Sequence, residues 1–361
     1  MKTVVSLIFL SLIAWAGSAT AQVRETPVVI ALVDGGNPQG YIQNTNDQGI
    51  LFATTPGGRG NPIAYAKIRG EGLDKLIRFE ERVEVLGEGR ALFAAEQYPA
   101  AAEAFGKVAR DYAIILNAPQ NFATEALFYQ AESLKRAGHY GKLAALLEEA
   151  PEVKTIETKL SDRYQRPFEI QKLWGLLGAE KFDALGEALA KYQDTPTGNA
   201  KLLATPNFKD GLPLSEISQF AFLRAKVADA SGQKENALDD YYRAFTLAYG
   251  NDELLSKLSM GAAMQIQIED PQLQAKKEQA VSMMQSLAYL FAKRFGKDIM
   301  PPQYQEYAVR PPMAQVAAEA PKEEADAGGD AEAAAPAAEG AEGGAKEETP
   351  DAEGAEGEKA E

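Results

Sequence analysis

Few side chains in this sequence could do chemistry, and their types narrow what that chemistry would be. The 361 residues include no Cys and one His, so a thiolate nucleophile, a disulfide and a zinc or iron-sulfur site built on Cys and His are excluded by count. Only His139 is left to supply imidazole base chemistry or a Ser-His-Asp triad. It falls between Gly138 and Tyr140, a turn position at which a side chain is normally solvated. The loop Gly57-Gly58-Arg59-Gly60 has the glycines and the charge to cradle a phosphate, yet no Lys-Ser/Thr pair or helix start follows, so it reads as a hairpin turn. The pairs Glu148-Glu149 and Asp239-Asp240 are adjacent on helical stretches, where neighbouring carboxylates diverge, and they read as solvated faces. Trp174 and Met283-Met284 sit at helical spacing and read as core. The chain is therefore expected to be no enzyme, with no catalytic residue, no metal site and no cofactor. A glycan-processing enzyme would need acids from distant segments brought to roughly 5–10 Å of one another.

Charge separates the chain into unlike parts. The net charge is −15, of which residues 314–361 carry −12 through 15 acids and three lysines, leaving residues 22–313 nearly balanced at −4. Nucleic acid is not expected as a partner, because such binding rests on Lys and Arg neutralising phosphates. Residues 314–361 hold no aromatic and only Val316 as a branched aliphatic, too little apolar surface to offset chain ordering, and are expected to be a disordered acidic tail. Such a tail reads first as a solubilising spacer, then as a docking tail for a basic partner or as an occupant of the protein's own basic groove.

The first segment has Lys2, an apolar run from Val4 to Trp15 and the small-residue pattern Ala19-Thr20-Ala21. This is the layout of a signal peptide over residues 1–21, cleaved after Ala21, and the run is short of the roughly 20 residues that span a bilayer. The mature chain is expected in the periplasm or cell envelope, with secretion as a further option, and without a transmembrane segment.

Residues 22–80 alternate short β-branched and aromatic runs with turn signals. Val28–Leu32, Tyr41–Gln43, Ile50–Ala53, Ile63–Tyr65 and Leu76–Phe79 are separated by Asp34-Gly35-Gly36-Asn37, Asn46-Asp47-Gln48-Gly49 and Pro56-Gly57-Gly58-Arg59-Gly60-Asn61. Strands of this length and spacing predict a small antiparallel sheet or barrel. The order of strands, with Gly35, Gly36 and Gly40, the Gly49-Ile50 step and the run from Ile63 to Ile68, resembles small SH3-like or Sm-like barrels. That resemblance implies support or binding in preference to catalysis.

From Glu81 to about residue 298 the period is helical. Ala101, Phe105, Val108 and Tyr112 share one helix face, and Pro99 suits a first helical turn. Two helices joined by a tight turn recur: Phe128 to Tyr140 before Leu143 to Leu147, Phe222 to Gly232 before Ala237 to Ala244, and a looser copy from Leu173 through Phe182 to Leu189. Small residues within the helices, a Gly and an aromatic near the turn, and an Ala with a later aromatic in the second helix resemble tetratricopeptide repeats. Aligning Ala101, Leu143, Leu185 and Ala237 gives spacings of 42, 42 and 52, longer than the roughly 34 of the regular repeat. Asn251-Asp252 and Asp270-Pro271 mark two closing helices, the second carrying Val281, Met284, Leu287, Phe291 and Phe295 and ending at Gly296. Residues 299–313, with Pro301-Pro302 and Pro311-Pro312, read as a linker.

The expected fold class is thus mainly α: an irregular tetratricopeptide-like solenoid over 81–298, preceded by a small all-β barrel and followed by the acidic tail. The resemblance places the first helix of each pair on a groove, at offsets matching Arg90, Phe128, Glu132, Lys135, Arg136, Phe222 and Lys226. Basic and aromatic side chains there would grip a peptide through a carboxylate or acidic motif, making the protein a scaffold for envelope proteins or peptides. The alternative is a module bound to cell wall or polysaccharide, with recognition by the barrel.

Overall fold

The computed structural model describes residues 27–69, 77–79, 86–119, 121–149, 152–194, 207–270 and 277–310. The segments expected to be a signal peptide (1–21) and a disordered acidic tail (314–361), and the connection 195–206, lie outside the described residues.

Five strands form at the β-branched runs: β1 (Val28–Ile30), β2 (Gln39–Thr45), β3 (Gly49–Ala53), β4 (Asn61–Ala64) and β5 (Ile77–Phe79). They pair antiparallel in the order β4-β3-β2-β1-β5, and a short 3-10 turn, Tyr65–Lys67, follows β4. The turns are set by Asx chemistry: Asp34 accepts from the backbone N–H of Gly36, and Asn46 accepts from Gln48 and Gly49. Val28, Ile30, Ile42, Ile50 and Phe52 are buried, and a bulge between Ile42 and Asn44 bends β2. At the end of β2 the Thr45 hydroxyl donates to the Ile114 carbonyl at 2.6 Å, while Asn117 donates to the Thr45 carbonyl at 3.2 Å. Lys159 pairs with Asp47 at 2.9 Å. These contacts fix the sheet to the helices.

The helices are α1 (Gly87–Ala94), α2 (Tyr98–Asp111), α3 (Phe122–Arg136), α4 (Tyr140–Glu149), α5 (Glu152–Lys159), α6 (Asp162–Gly178), α7 (Phe182–Ala190), α8 (Leu214–Ala230), α9 (Lys234–Ala248), α10 (Glu253–Glu269) and α11 (Lys277–Phe295). Four hairpins, α1/α2, α3/α4, α6/α7 and α8/α9, share one turn. Glu96, Gly138, Glu180 and Gly232 take left-handed φ of 58°, 71°, 56° and 74°. The next residue's N–H reaches back five positions in every case: Gln97 to Leu92, His139 to Leu134, Lys181 to Leu176 and Gln233 to Ala228, at 2.8–3.0 Å. Four residues further on, Ala101, Leu143, Leu185 and Ala237 are each 0% exposed. The loose third copy is as regular in its turn as the others. The long spacings come from insertions between hairpins, namely the 3-10 turn Ala113–Ile115, helix α5 and the connection from 191 to 213.

Asn121 and Asp252 cap α3 and α10, accepting from Thr124 and Leu255 at 2.9 and 3.0 Å. Pro167 lies inside α6, which continues through it because Phe168, Ile170, Leu173 and Trp174 beyond it are buried. The stretch expected to be a linker starts as part of the fold. Pro302–Tyr307 forms a 3-10 helix that carries buried Tyr304, and Tyr304 and Met300 just before the helix belong to the same apolar cluster as Met284, Leu287 and Phe291 of α11. One apolar cluster joins the sheet to α2, α3, α5 and the start of α6, and a second runs from α3 and α4 to α11. No described helix is long and apolar enough to cross a membrane.

Candidate interaction face

The first helices of the hairpins meet one another through polar side chains. Arg90 on α1 reaches Glu125 on α3 at 2.9 Å. Glu125 accepts from the Tyr164 hydroxyl on α6 at 2.7 Å and lies 3.7 Å from Arg163, whose guanidinium sits 4.4 Å from the Tyr164 ring centre. Burial, followed by the hydrogen bonds with Tyr129 and Glu125, raises the Tyr164 phenol pKa, so it stays a donor. The rings of Phe93, Tyr129 and Tyr164 meet edge to face across these helices, at 5.8 and 5.9 Å.

Two turns along α3, Glu132 forms a second node. It pairs with Lys135 at 2.9 Å and Arg136 at 3.1 Å and accepts from Gln171 of α6 at 3.0 Å. Burial opposes its charge, but Lys135, Gln171 and Arg136 outweigh it and bring the carboxyl down to about 2. Gln219 of α8 accepts from the Trp174 indole at 3.0 Å, and Lys135 lies 3.5 Å from it, while Arg166 pairs with Glu216 at 2.8 Å. Helices α1, α3, α6 and α8 therefore share one polar layer.

Charge within the layer is unequal. Glu125 is shared by Arg90 and Arg163, which leaves one cation over, whereas Glu132 is shared by Lys135 and Arg136, the second of which Asp252 also acts on. Among the cations of these two nodes the exposed ones are Arg163, Arg90 and Arg136, at 68%, 46% and 40%. Asp252, the N-cap of α10, accepts from the backbone of Leu255 and keeps its charge, so it offsets Arg136 and leaves the surplus at the Glu125 node.

Of the side chains expected on the groove, Arg90, Glu132, Lys135 and Arg136 come together here. Phe128 and Phe222 do not. They are 6% and 2% exposed, because mid-helix aromatics at those offsets point between helices. Phe128 lies 4.6 Å from Tyr164, and Phe222 stacks on Trp174, which stacks on Tyr140, at 5.3 and 5.0 Å. Lys226 lies over the rings of Phe222 and Tyr241 at 5.6 and 5.7 Å, with no acid within ion-pair distance among the described residues. Burial is the main cause of its lowered pKa, with Asp229 opposing and Lys234 adding to the shift.

Sequence reasoning missed Glu125, Tyr129, Arg163, Tyr164, Gln171 and Gln219. The spacing of Glu125 and Glu132, seven residues and so two turns of α3, was the available signal. Asp240 also departs from the solvated reading. It is 1% exposed and held by Arg224 in two bonds of 2.7 and 2.6 Å, whereas Asp239 stays exposed. A cleft of about 620 Å³ between α9 and α10 includes Glu235, Glu269 and Asp270, and the first two carboxylates are solvent-exposed. Among the described residues no group of three acids or imidazoles is placed to hold a metal. No family model, curated protein or solved structure matches the chain.

Proposed function

We propose that this protein is a non-catalytic interaction scaffold whose first-helix layer holds an acidic segment of a partner protein. The observation that carries the reading is the sharing of Glu125 and Glu132 by two cations each, four cations against the two carboxylates of α3, with the surplus at Arg90 and Arg163. The two nodes are seven residues apart on α3, a rise of about 10 Å, which matches acids about three residues apart on an extended segment. Tyr164, half-buried, adjoins both Arg163 and Glu125 at the first node.

The reading includes an irregular tetratricopeptide-like solenoid and an SH3-like barrel. The recurring left-handed turn and the contacts among first helices support the solenoid. The strand order β4-β3-β2-β1-β5, with a 3-10 turn after β4, supports the barrel. The proposed site of action is the cell envelope, a reading supported by the leader pattern of residues 1–21.

Fluorescence anisotropy with labelled hexaglutamate, hexaglutamine and hexalysine tests the proposal. Saturable binding of hexaglutamate alone, weakening as salt rises, is expected. Equal binding of all three peptides, or of none, would remove it.

A further inference from the structure

On another part of the array, α2, α3 and α4 border a cleft of about 400 Å³ whose polar lining is Glu103, Arg110, Gln130, His139 and Lys142. We propose that this cleft binds an amphipathic anion: one carboxylate or phosphate head on an aliphatic body. Its size falls within the range of small-molecule sites. Unlike the cations of the first-helix layer, Arg110 and Lys142 have no carboxylate within 4 Å among the described residues, and the chain's one imidazole joins them. Glu103, the one acid in the lining, lies two helical turns from Arg110, about 10 Å along α2, and does not neutralise it.

Gly106 makes room for the head group's donors. A Cβ at that position would come within 2.6 Å of the Gln130 amide nitrogen and 3.3 Å of an Arg110 guanidinium nitrogen. Two donors therefore converge where α2 carries no side chain. The guanidinium fork suits a planar carboxylate or a phosphate. Ala102 and Leu134, both buried, with half-buried Leu146, form an apolar floor for the aliphatic part. This site shares none of the cations of the acidic-segment face, so either assignment can fail without the other.

Isothermal titration of the full chain with octanoate, n-octyl phosphate, inorganic phosphate and neutral octyl glucoside tests the assignment. Octanoate or octyl phosphate should bind saturably, and whichever binds more tightly identifies the head. Arg110→Ala should weaken that binding by about tenfold. Gly106→Ala should weaken it while leaving thermal stability unchanged or raised, since Ala favours the helix and only flexible side-chain ends must shift. The assignment is overturned if neither amphiphile binds below about 1 mM, if octyl glucoside binds as well as the anions, or if Arg110→Ala binds like the unaltered chain.

Discussion

Glu132 shows how strongly single residues are committed to this array. With its carboxyl depressed from 4.5 to about 2, its contribution to stability is complete above pH 4.5 and is lost as pH falls through 2. Glu132→Gln should therefore lower the urea midpoint at pH 6, and the gap to the unaltered chain should close in the acid range; a gap independent of pH would contradict the assignment. The buried Arg224–Asp240 pair is a second commitment, anchoring α8 to α9, with the guanidinium 4.3 Å from the Phe208 ring centre. Asp240→Ala leaves the guanidinium buried without its carboxylate and should cost about 3–5 kcal/mol in denaturant unfolding. A loss under about 1 kcal/mol would show that the pair is solvated after all. Nothing in the spacing of Asp239 and Asp240 distinguishes the exposed acid from the buried one. That difference arises only when Arg224 arrives from the preceding helix.

Among the elements, the hairpin turns were the most legible feature, because Gly138 and Gly232 announce a left-handed residue directly. Glu96 and Glu180 occupy the same backbone position without that signal, which is why the third copy looked loose. The equivalence makes a paired prediction. Gly232→Ala should destabilise by roughly 1 kcal/mol, since Ala must adopt positive φ, and Glu180→Gly should stabilise by a few tenths to about 1 kcal/mol by relieving the same strain. Thermal unfolding of the two variants checks this, and shifts of the same sign would show that the turns differ. Helix α6 through Pro167 and the folded Pro302–Tyr307 segment were not legible, because proline marks a local backbone restriction while burial of Phe168, Trp174, Met300 and Tyr304 decides the outcome. The candidate face was legible in its charges and not in its aromatics. Arg90, Glu132, Lys135 and Arg136 follow from offset along a helix, whereas burial of Phe128 and Phe222 depends on which neighbouring helix each ring meets.

Across the described molecule, the sheet and the first hairpins share one apolar cluster, and Thr45, Asn117 and Lys159 tie β2 and its turn to the 3-10 turn Ala113–Ile115 and α5. On the proposed function, an acidic segment would meet cations already held against Glu125 and Glu132, so its binding would cost little ordering of the protein. Binding by this layer would therefore depend on where these cations sit and not on total charge. The direct measurement compares hexaglutamate binding by Arg163→Glu with that by Lys172→Glu, the same charge change on the same helix, the second at a lysine that pairs with Glu157 of α5. Arg163→Glu is expected to weaken binding by about tenfold and Lys172→Glu by less than about twofold. Equal weakening by both variants would mean that the peptide responds to overall charge, and would contradict a site on the first-helix layer.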